Sequence, residues 1–255
     1  LKFSLILNSR NRPDHLQIFL TSVINTTKDI EDIEVIIGLD KDDPSLIDSL
    51  NVLNKYKFVN YLVQNRPINP NSSLTRLGLL SIAPYLFVLN DDTRLVTHSW
   101  DVLAWHTLSA YATRLSDDIC YGRTIDQSID KDKDGKYCAF PILPKKTIDI
   151  LGFIVPPAFP GLGGDVAIYR IFEKIGRIVD IPLIIEHTMH QTLEQVINPD
   201  QTALEMRQNT YRHNTNWNTF PIDDYVFKLE DYIYKTQHLN YLNSIGCISE
   251  NFSSL

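Results

Sequence analysis

Four short apolar runs, each stopping abruptly at a cluster of polar residues, constrain this chain more than any other feature. Phe3 to Leu7 stops at Asn8, Ser9, Arg10, Asn11, Arg12 and Pro13, and Glu34 to Leu39 stops at Asp40, Lys41, Asp42, Asp43 and Pro44. Phe58 to Val63 runs out before Asn65 and Arg66, and Tyr85 to Leu89 stops at Asn90, Asp91 and Asp92. Between these runs, Leu16, Phe19, Leu20 and Val23, then Leu46, Ile47, Leu50 and Leu53, then the stretch Leu74 to Ile82, carry apolar residues at helical spacing. The pattern predicts β-α-β-α-β-α-β over residues 3–89. Nearly continuous apolar strands alternating with helices imply a mostly parallel central sheet covered on both faces. Ligands of such sheets bind outside the carboxyl ends of the strands, where the polar clusters gather here. Strand-end loops are polar in any α/β protein, so no single cluster decides a function.

Charge narrows the choice of ligand. Lys and Arg number 24 against 31 Asp and Glu, a net of −7, and no basic block is long enough to track a phosphate backbone, which excludes a nucleic-acid groove. The longest apolar stretch, Ile148 to Leu162, is broken by Pro156, Pro157 and Pro160, so no membrane span is expected. Cys120, Cys138 and Cys247 are too few and too scattered for a disulfide framework or a cysteine zinc site, and a reducing, cytoplasmic compartment is the default. The chain starts at Leu1, as an excised domain of a larger polypeptide would, and localisation is left open.

Beyond Asp92 the pattern changes. A helix is expected through Trp100, Leu103, Trp105, Leu108 and Tyr111, followed by a charged loop near Gln127 to Lys136 and a Pro-rich stretch from Phe140 to Pro160. Asp130, Asp132, Asp134 and Gly135 imitate the start of a calcium loop, but its twelfth position is Pro141, so a solvated loop is expected. The turn Gly161 to Gly164 leads into a helix over Asp165 to Ile175, and a strand over Val179 to Ile185 ends at Glu186 and His187. The text beyond Pro199 is helical again, with aromatic residues at Tyr225, Phe227, Tyr232 and Tyr234. With no internal repeat and no Gly/Ser linker, a single domain over residues 1–255 is expected, its parts being residues 1–95, residues 96–195 and a C-terminal helical extension over 196–255.

The sharpest chemical signal is the pair Asp91 and Asp92 directly after a buried strand. Adjacent carboxylates repel and resist desolvation unless a cation or strong donors balance them. Mg²⁺ or Mn²⁺ would do so and would also take phosphate oxygens, although an acidic turn or helix cap would read the same way. His187 or His190, at the end of the later strand, could complete the shell, and an imidazole tilts the metal toward Mn²⁺.

The blocks FSLILNSRNRP (3–13), VIIGLDKDDP (35–44), SLTRLG (73–78), YLFVLNDDT (85–93), GLGGD (161–165) and EHTMH (186–190) together resemble, in order and spacing, a GT-A fold nucleotide-sugar glycosyltransferase of the broad family 2 type. The resemblance covers residues 1 to about 190. It implies an α/β GT-A architecture with a Rossmann-like nucleotide half, a smaller acceptor-side part and C-terminal helices. It further implies a UDP-sugar donor, a glycan, lipid or protein acceptor, and Mn²⁺ or Mg²⁺. In the resemblance, Ser9, Arg10 and Arg12 hold the nucleotide, Asp40 takes the base or ribose, and Arg76 approaches the uridine or pyrophosphate. Asn90, Asp91 and Asp92 stand where the family has its DxD motif, with Asn in place of the first Asp; Asp92 then binds the metal and Asp91 the donor sugar or a metal water. Asp165 falls where inverting members place their general base, Gly163 and Gly164 let the backbone approach sugar or acceptor, and Trp100 is the aromatic candidate for the acceptor pocket, with core packing as its alternative. Arg207 and Arg212 could close over the diphosphate or lie in a solvated loop. Retaining transfer, a sugar nucleotidyltransferase and a non-catalytic binding module remain alternatives, the nucleotidyltransferase weakened by the lack of Gly between Asn8 and Pro13.

Overall fold

The structure is a computed structural model that describes residues 1–67, 69–127, 138–159, 163–187 and 220–244. Its strands are β1 (Phe3–Ser9), β2 (Ile33–Asp40), β3 (Val59–Gln64), β4 (Tyr85–Val88), β5 (Thr93–Leu95), β6 (Tyr121–Asp126), β7 (Ile142–Pro144) and β8 (Ile178–His187). Its helices are α1 (Pro13–Thr26), α2 (Leu46–Leu53), α3 (Pro70–Leu80), α4 (Trp100–Leu115), α5 (Lys146–Leu151), α6 (Gly164–Lys174) and α7 (Ile222–Ser244). The strands form one sheet in the order β3-β2-β1-β4-β7-β6-β8-β5.

The apolar runs become strands because both their faces are covered. Along β1, Phe3, Leu5 and Leu7 face one core with Leu16, Phe19 and Leu20 of α1 and Leu108 of α4, while Ile6 faces a second core with Leu74 and Leu77 of α3 and Ile168 and Phe172 of α6. Side chains alternate across a strand, so a strand buried on both sides needs apolar residues at successive positions. Along α7, Leu229 is fully buried, whereas Phe227, Tyr234 and Tyr241 are exposed.

Direction is what places the site. β1, β2, β3 and β4 pair in parallel; β7 runs antiparallel to β4, β6 antiparallel to β7, and β8 parallel to β6. Six of the eight strands therefore point the same way, and their carboxyl ends form one edge carrying Ser9, Asp40, Gln64, the Asn90–Asp92 turn, Asp126 and His187. The edge strand β5 returns antiparallel along β8 with Thr93 opposite His187, which brings Asp92, one residue earlier, beside the imidazole.

Candidate functional site

The first two strand-end loops are tied together by charge. Arg10 Nη1 lies 3.2 Å from Asp40 Oδ2 and 2.9 Å from Asp42 Oδ1, and Arg66 Nε lies 3.9 Å from the same Asp40 oxygen. Asn11, at φ 57°, donates its backbone N–H to Asp43 Oδ2 (2.9 Å) and accepts at Oδ1 from the Ser45 hydroxyl (2.6 Å). Burial raises the Asp40 carboxyl against the pull of Arg10, whereas hydrogen bonding to Arg10 lowers that of the exposed Asp42. Between the loops after β2 and β3 opens a shallow, open cleft of about 420 Å³ lined by Lys41, Asp42, Asn65 and Arg66.

The acidic turn lies deeper. Asp91 is 5% and Asp92 8% exposed, and the positive charge facing them comes from protein. Ser9 Oγ donates to Asp91 Oδ2 (2.7 Å), while Arg12 Nη1 lies 3.0 Å from Asp91 Oδ1 and 3.8 Å from Asp92 Oδ2. His187 Nε2 is 3.2 Å from Asp92 Oδ1. Burial raises the Asp91 carboxyl, an effect that Arg12 opposes; for Asp92 the hydrogen bond and charge of His187 overcome burial and lower it. His187 shows the reciprocal shift. Burial alone would lower it, but hydrogen bonds and charge from Asp126 and Asp92 push it up to about 9.

A hydrogen-bond chain links β1, β3 and α3, with Gln64 Nε2 donating to Ser73 Oγ at its centre. Arg76 Nη1 donates to Gln64 Oε1 (2.7 Å), Ser73 Oγ donates to Asn8 Oδ1 (2.7 Å), and Asn8 Nδ2 donates to the Pro70 carbonyl (3.0 Å). Gly38 makes this possible, because a Cβ there would come within 2.5 Å of Asn8 Oδ1 and 3.1 Å of Ser73 Oγ.

Asp165 stands in the first turn of α6, half-buried, and accepts the Val166 N–H at Oδ1 (2.8 Å). Gly163 before it has φ 99°. Asn71 at the start of α3 packs on Gly164 and donates to the Phe159 carbonyl, so the α6 N-terminus is joined to α3 one residue from the carbonyl that Asn8 holds.

These contacts bring Ser9, Arg10, Arg12, Asp40, Asp91, Asp92 and His187 to one rim, and Arg76 reaches it through Gln64. Two expectations need correction. Trp100 lines no acceptor pocket: it is fully buried, 5.4 Å from the Phe3 ring and 5.5 Å from Phe87, with Nε1 donating to Thr27 Oγ1, at the opposite end of β1 from Ser9. Gly164 does not present open backbone to a sugar either, since a Cβ there would meet Asn71 Nδ2 and Val155 Cγ1 at 2.7 Å each; its smallness serves helix packing. His190, Gly161, Arg207, Arg212 and the loop with Asp130, Asp132 and Asp134 lie outside the described residues.

Sequence reasoning missed Asp126. Its Oδ2 lies 3.7 Å from His187 Nδ1 and its side chain is only 4% exposed. The signal was present in Tyr121 to Asp126 (YGRTID), a short run ending in a carboxylate before a polar loop, but one apolar face is too little to mark a strand among Pro-rich and charged neighbours.

Among the described residues no group of three or more His, Cys, Asp or Glu side chains stands ready to hold a metal ion. Asp92 and His187 nevertheless offer a mixed oxygen and nitrogen pair 3.2 Å apart. The two are in direct hydrogen-bond contact with each other, so a cation held by both would have to take the place of that contact.

No family model matches the sequence, and no curated protein matches it. Solved structures do match. The S. aureus TarS 1-349 structure in complex with UDP superposes with a TM-score of 0.56 at 10% identity, covering 73% of this chain and 60% of that one. The corresponding complex with UDP-GlcNAc gives 0.54 at 12% identity over 86% of this chain and 73% of that one, and a longer TarS chain gives 0.57 at 10% identity, with 86% of this chain and 44% of that one covered. The fold is of the GT-A type. In a GT-A fold the edge formed by the six parallel strand ends is the expected ligand edge, and it is here that the charged rim lies. At these identities the likeness carries the architecture and leaves the residues to be argued from their own geometry.

Proposed function

We propose that this chain is a metal-dependent glycosyltransferase that moves a sugar from a nucleoside-diphosphate donor, a UDP-sugar, to an acceptor hydroxyl with inversion. The observation that carries the reading is the convergence of Arg10, Arg12, Asp40, Asp91, Asp92 and His187 on one edge of the sheet. TarS, with the same fold, has been crystallised with UDP and with UDP-GlcNAc.

The roles follow from chemistry. The cleft lined by Lys41, Asp42, Asn65 and Arg66 has the volume for a base and ribose, with Asp40, which lies 3.9 Å from the lining Arg66, as acceptor. Arg12 and Arg10 supply cationic donors for a diphosphate. Asp92 and His187 would hold Mn²⁺ or Mg²⁺, with His190 as a further ligand from outside the described residues. The ion, when bound, neutralises charge that builds on the departing diphosphate. Asp91, held by Ser9 and Arg12, faces the donor sugar or a metal-bound water.

Transfer is a single in-line displacement. The acceptor oxygen forms a bond to the anomeric carbon, the bond from that carbon to the diphosphate oxygen breaks with its electron pair leaving on UDP, and the hydroxyl proton passes to the Asp165 carboxylate. A positioned carboxylate of this kind contributes about 10²–10⁴-fold. Gly163 leaves the backbone beside this base without a side chain.

The test is UDP release from a panel of UDP-sugars with and without Mn²⁺, with the anomeric configuration of the product read by NMR. Turnover should need the metal, disappear in Asp92→Ala and fall by about 10²–10⁴-fold in Asp165→Asn without a matching change in KM. A retained anomeric configuration would remove Asp165 from its role, and release indifferent to both substitutions would leave a binding module.

A further inference from the structure

We propose that β3 is the surface through which two copies of this chain pair, antiparallel about a two-fold axis at Tyr61, and that each copy thereby sets Lys57 at the mouth of the other's cleft between the loops after β2 and β3. The pairing stands on the edge strand alone; only the part that concerns nucleotide in the cleft rests on the function proposed above.

β3 ends the sheet and pairs with β2 in unbroken register, from Val35 opposite Val59 to Asp40 opposite Gln64. The Val35 N–H donates to the Phe58 carbonyl (2.9 Å) and the Lys41 N–H to that of Gln64 (2.7 Å), so the even-numbered residues of this strand turn their backbone groups toward β2. In a regular ladder successive residues aim N–H and C=O to opposite sides, which directs those of Val59, Tyr61 and Val63 at the free edge. Of these, the Val59 N–H is already taken by the Tyr56 carbonyl (3.3 Å). Edge strands are usually blunted by charge, Pro or a bulge. β3 is not: Phe58 to Asn65 (FVNYLVQN) holds no charged residue, no Pro and no Gly, while Tyr61 is 43% and Val63 39% exposed.

The occupant follows from the residue pattern and from closure. An antiparallel two-fold at Tyr61 sets Tyr61 against its own copy and Val59 against Val63 on one face, pairs of aromatic and β-branched residues that suit a sheet, with no like charges opposed. Tyr61 then exchanges two hydrogen bonds with its copy, and each Val63 N–H reaches a Val59 carbonyl. A two-fold uses up both edges and stops at a dimer. The other end of the sheet offers no match, since β5 is three residues long with the exposed Arg94 at its centre. Because the paired strands run oppositely, the exposed Lys57, in the turn before β3, arrives beside Asn65 of the second copy, where Asn65 and Arg66 line the cleft with Lys41 and Asp42. There its ammonium comes within reach of the Asp42 carboxylate, whose side chain is 59% exposed, and can donate to an oxygen of a bound base or ribose.

The experiment is analytical ultracentrifugation of the full chain, with and without UDP, for wild type, Val63→Pro and Tyr61→Lys, with circular dichroism to check folding. An edge pairing of this length belongs among small, weak interfaces, so the wild-type mass should climb from one chain toward two between about 1 µM and about 1 mM. Val63→Pro removes an N–H directed at the free edge and spares the ladder to β2, and Tyr61→Lys opposes two like charges; both should stay monomeric over that range with native spectra. Tyr61→Cys supplies a second readout. A directly opposed, hydrogen-bonded pair has Cα atoms about 5.5 Å apart, within disulfide reach, so in a Cys247→Ser background Tyr61→Cys should cross-link on mild oxidation, whereas Ile82→Cys, at a position 74% exposed, should not. By reciprocity, a cleft shared between copies means that UDP tightens the dimer by about fivefold or more, and Lys57→Gln should abolish that tightening. A wild type monomeric throughout, or a dimer that Val63→Pro and Tyr61→Lys leave intact, overturns the pairing. A dimer that binds UDP without being tightened overturns the shared cleft. Absence of any UDP binding overturns the function proposed above and the shared cleft with it, while the pairing is still read from the mass.

Discussion

Arg12 already does in the ligand-free chain what a bound cation would do: it neutralises Asp91 and Asp92 from 3.0 and 3.8 Å. On the proposed function, a diphosphate arriving with a metal would exchange one set of ion pairs for another. Removing the guanidinium should act in opposite directions on the two ligands. Arg12→Met should bind Mn²⁺ more tightly in the absence of nucleotide, because a competing cation is gone, and UDP about tenfold or more weakly, because a charge-assisted hydrogen bond is lost. Electron paramagnetic resonance titration and calorimetry read the two separately, and a parallel loss of both would refute the exchange. Away from the rim, burial and the nearby charges of Asp118 and Asp117 push the Cys120 thiol up to about 12, and burial also raises that of Cys138. Because the folded value of Cys120 exceeds the unfolded one, its contribution to stability is full below about pH 9 and declines as pH rises from there through about 12. At pH 8 neither thiol should react with a disulfide reagent until the chain is denatured; rapid labelling of either in the native state would contradict their burial. At this scale the sequence was readable where a residue type is rare in its setting, as with paired aspartates after an apolar run, and misleading for Trp100, whose indole is equally at home in a sugar pocket or a core and whose burial depends on contacts with Phe3 and Phe87 far off in sequence.

Elements set the spacing of the rim. The alternation from β1 to β4 was legible because each strand is apolar on both faces and each helix on one, two periods that do not imitate each other. β5 and β7 were not, since three residues carry too little pattern to show a strand and their antiparallel pairing is chosen by β8 and β4. Yet β5 sets Thr93 against His187 and so Asp92 against the imidazole, which makes the least legible element the one that assembles the proposed metal pair. Among the described glycines, a Cβ at Gly38 would meet the closest neighbour. Gly38→Ala should drive Asn8 from its hydrogen bonds, cost about 1–3 kcal/mol in urea denaturation and weaken UDP binding through Gln64 and Arg76. A variant as stable as wild type would show that the space around Asn8 is not needed.

For the whole molecule, the sheet holds its two halves in register around the rim, and one buried ion pair secures the second half. Arg177 meets Asp117 through both terminal nitrogens, at 3.0 and 3.2 Å, where the chain leads into β8 and β6. Removing one partner strands the other charge in the interior. Arg177→Met should therefore cost about 3–5 kcal/mol in denaturant unfolding, and a loss below about 1 kcal/mol would mean that Asp117 finds solvent or another donor. The central claim concerns the opposite edge, where a cation held by Asp92 and His187 is to join the chain to a nucleoside diphosphate. Calorimetric titration of the chain with UDP, with and without Mn²⁺, in wild type and in Asp92→Asn, tests it most directly. The expected result is that Mn²⁺ tightens UDP binding to wild type by about tenfold or more, about 1.4 kcal/mol, and has no such effect on Asp92→Asn. Uptake of UDP with the same affinity in all four titrations, or none in any, would contradict the claim.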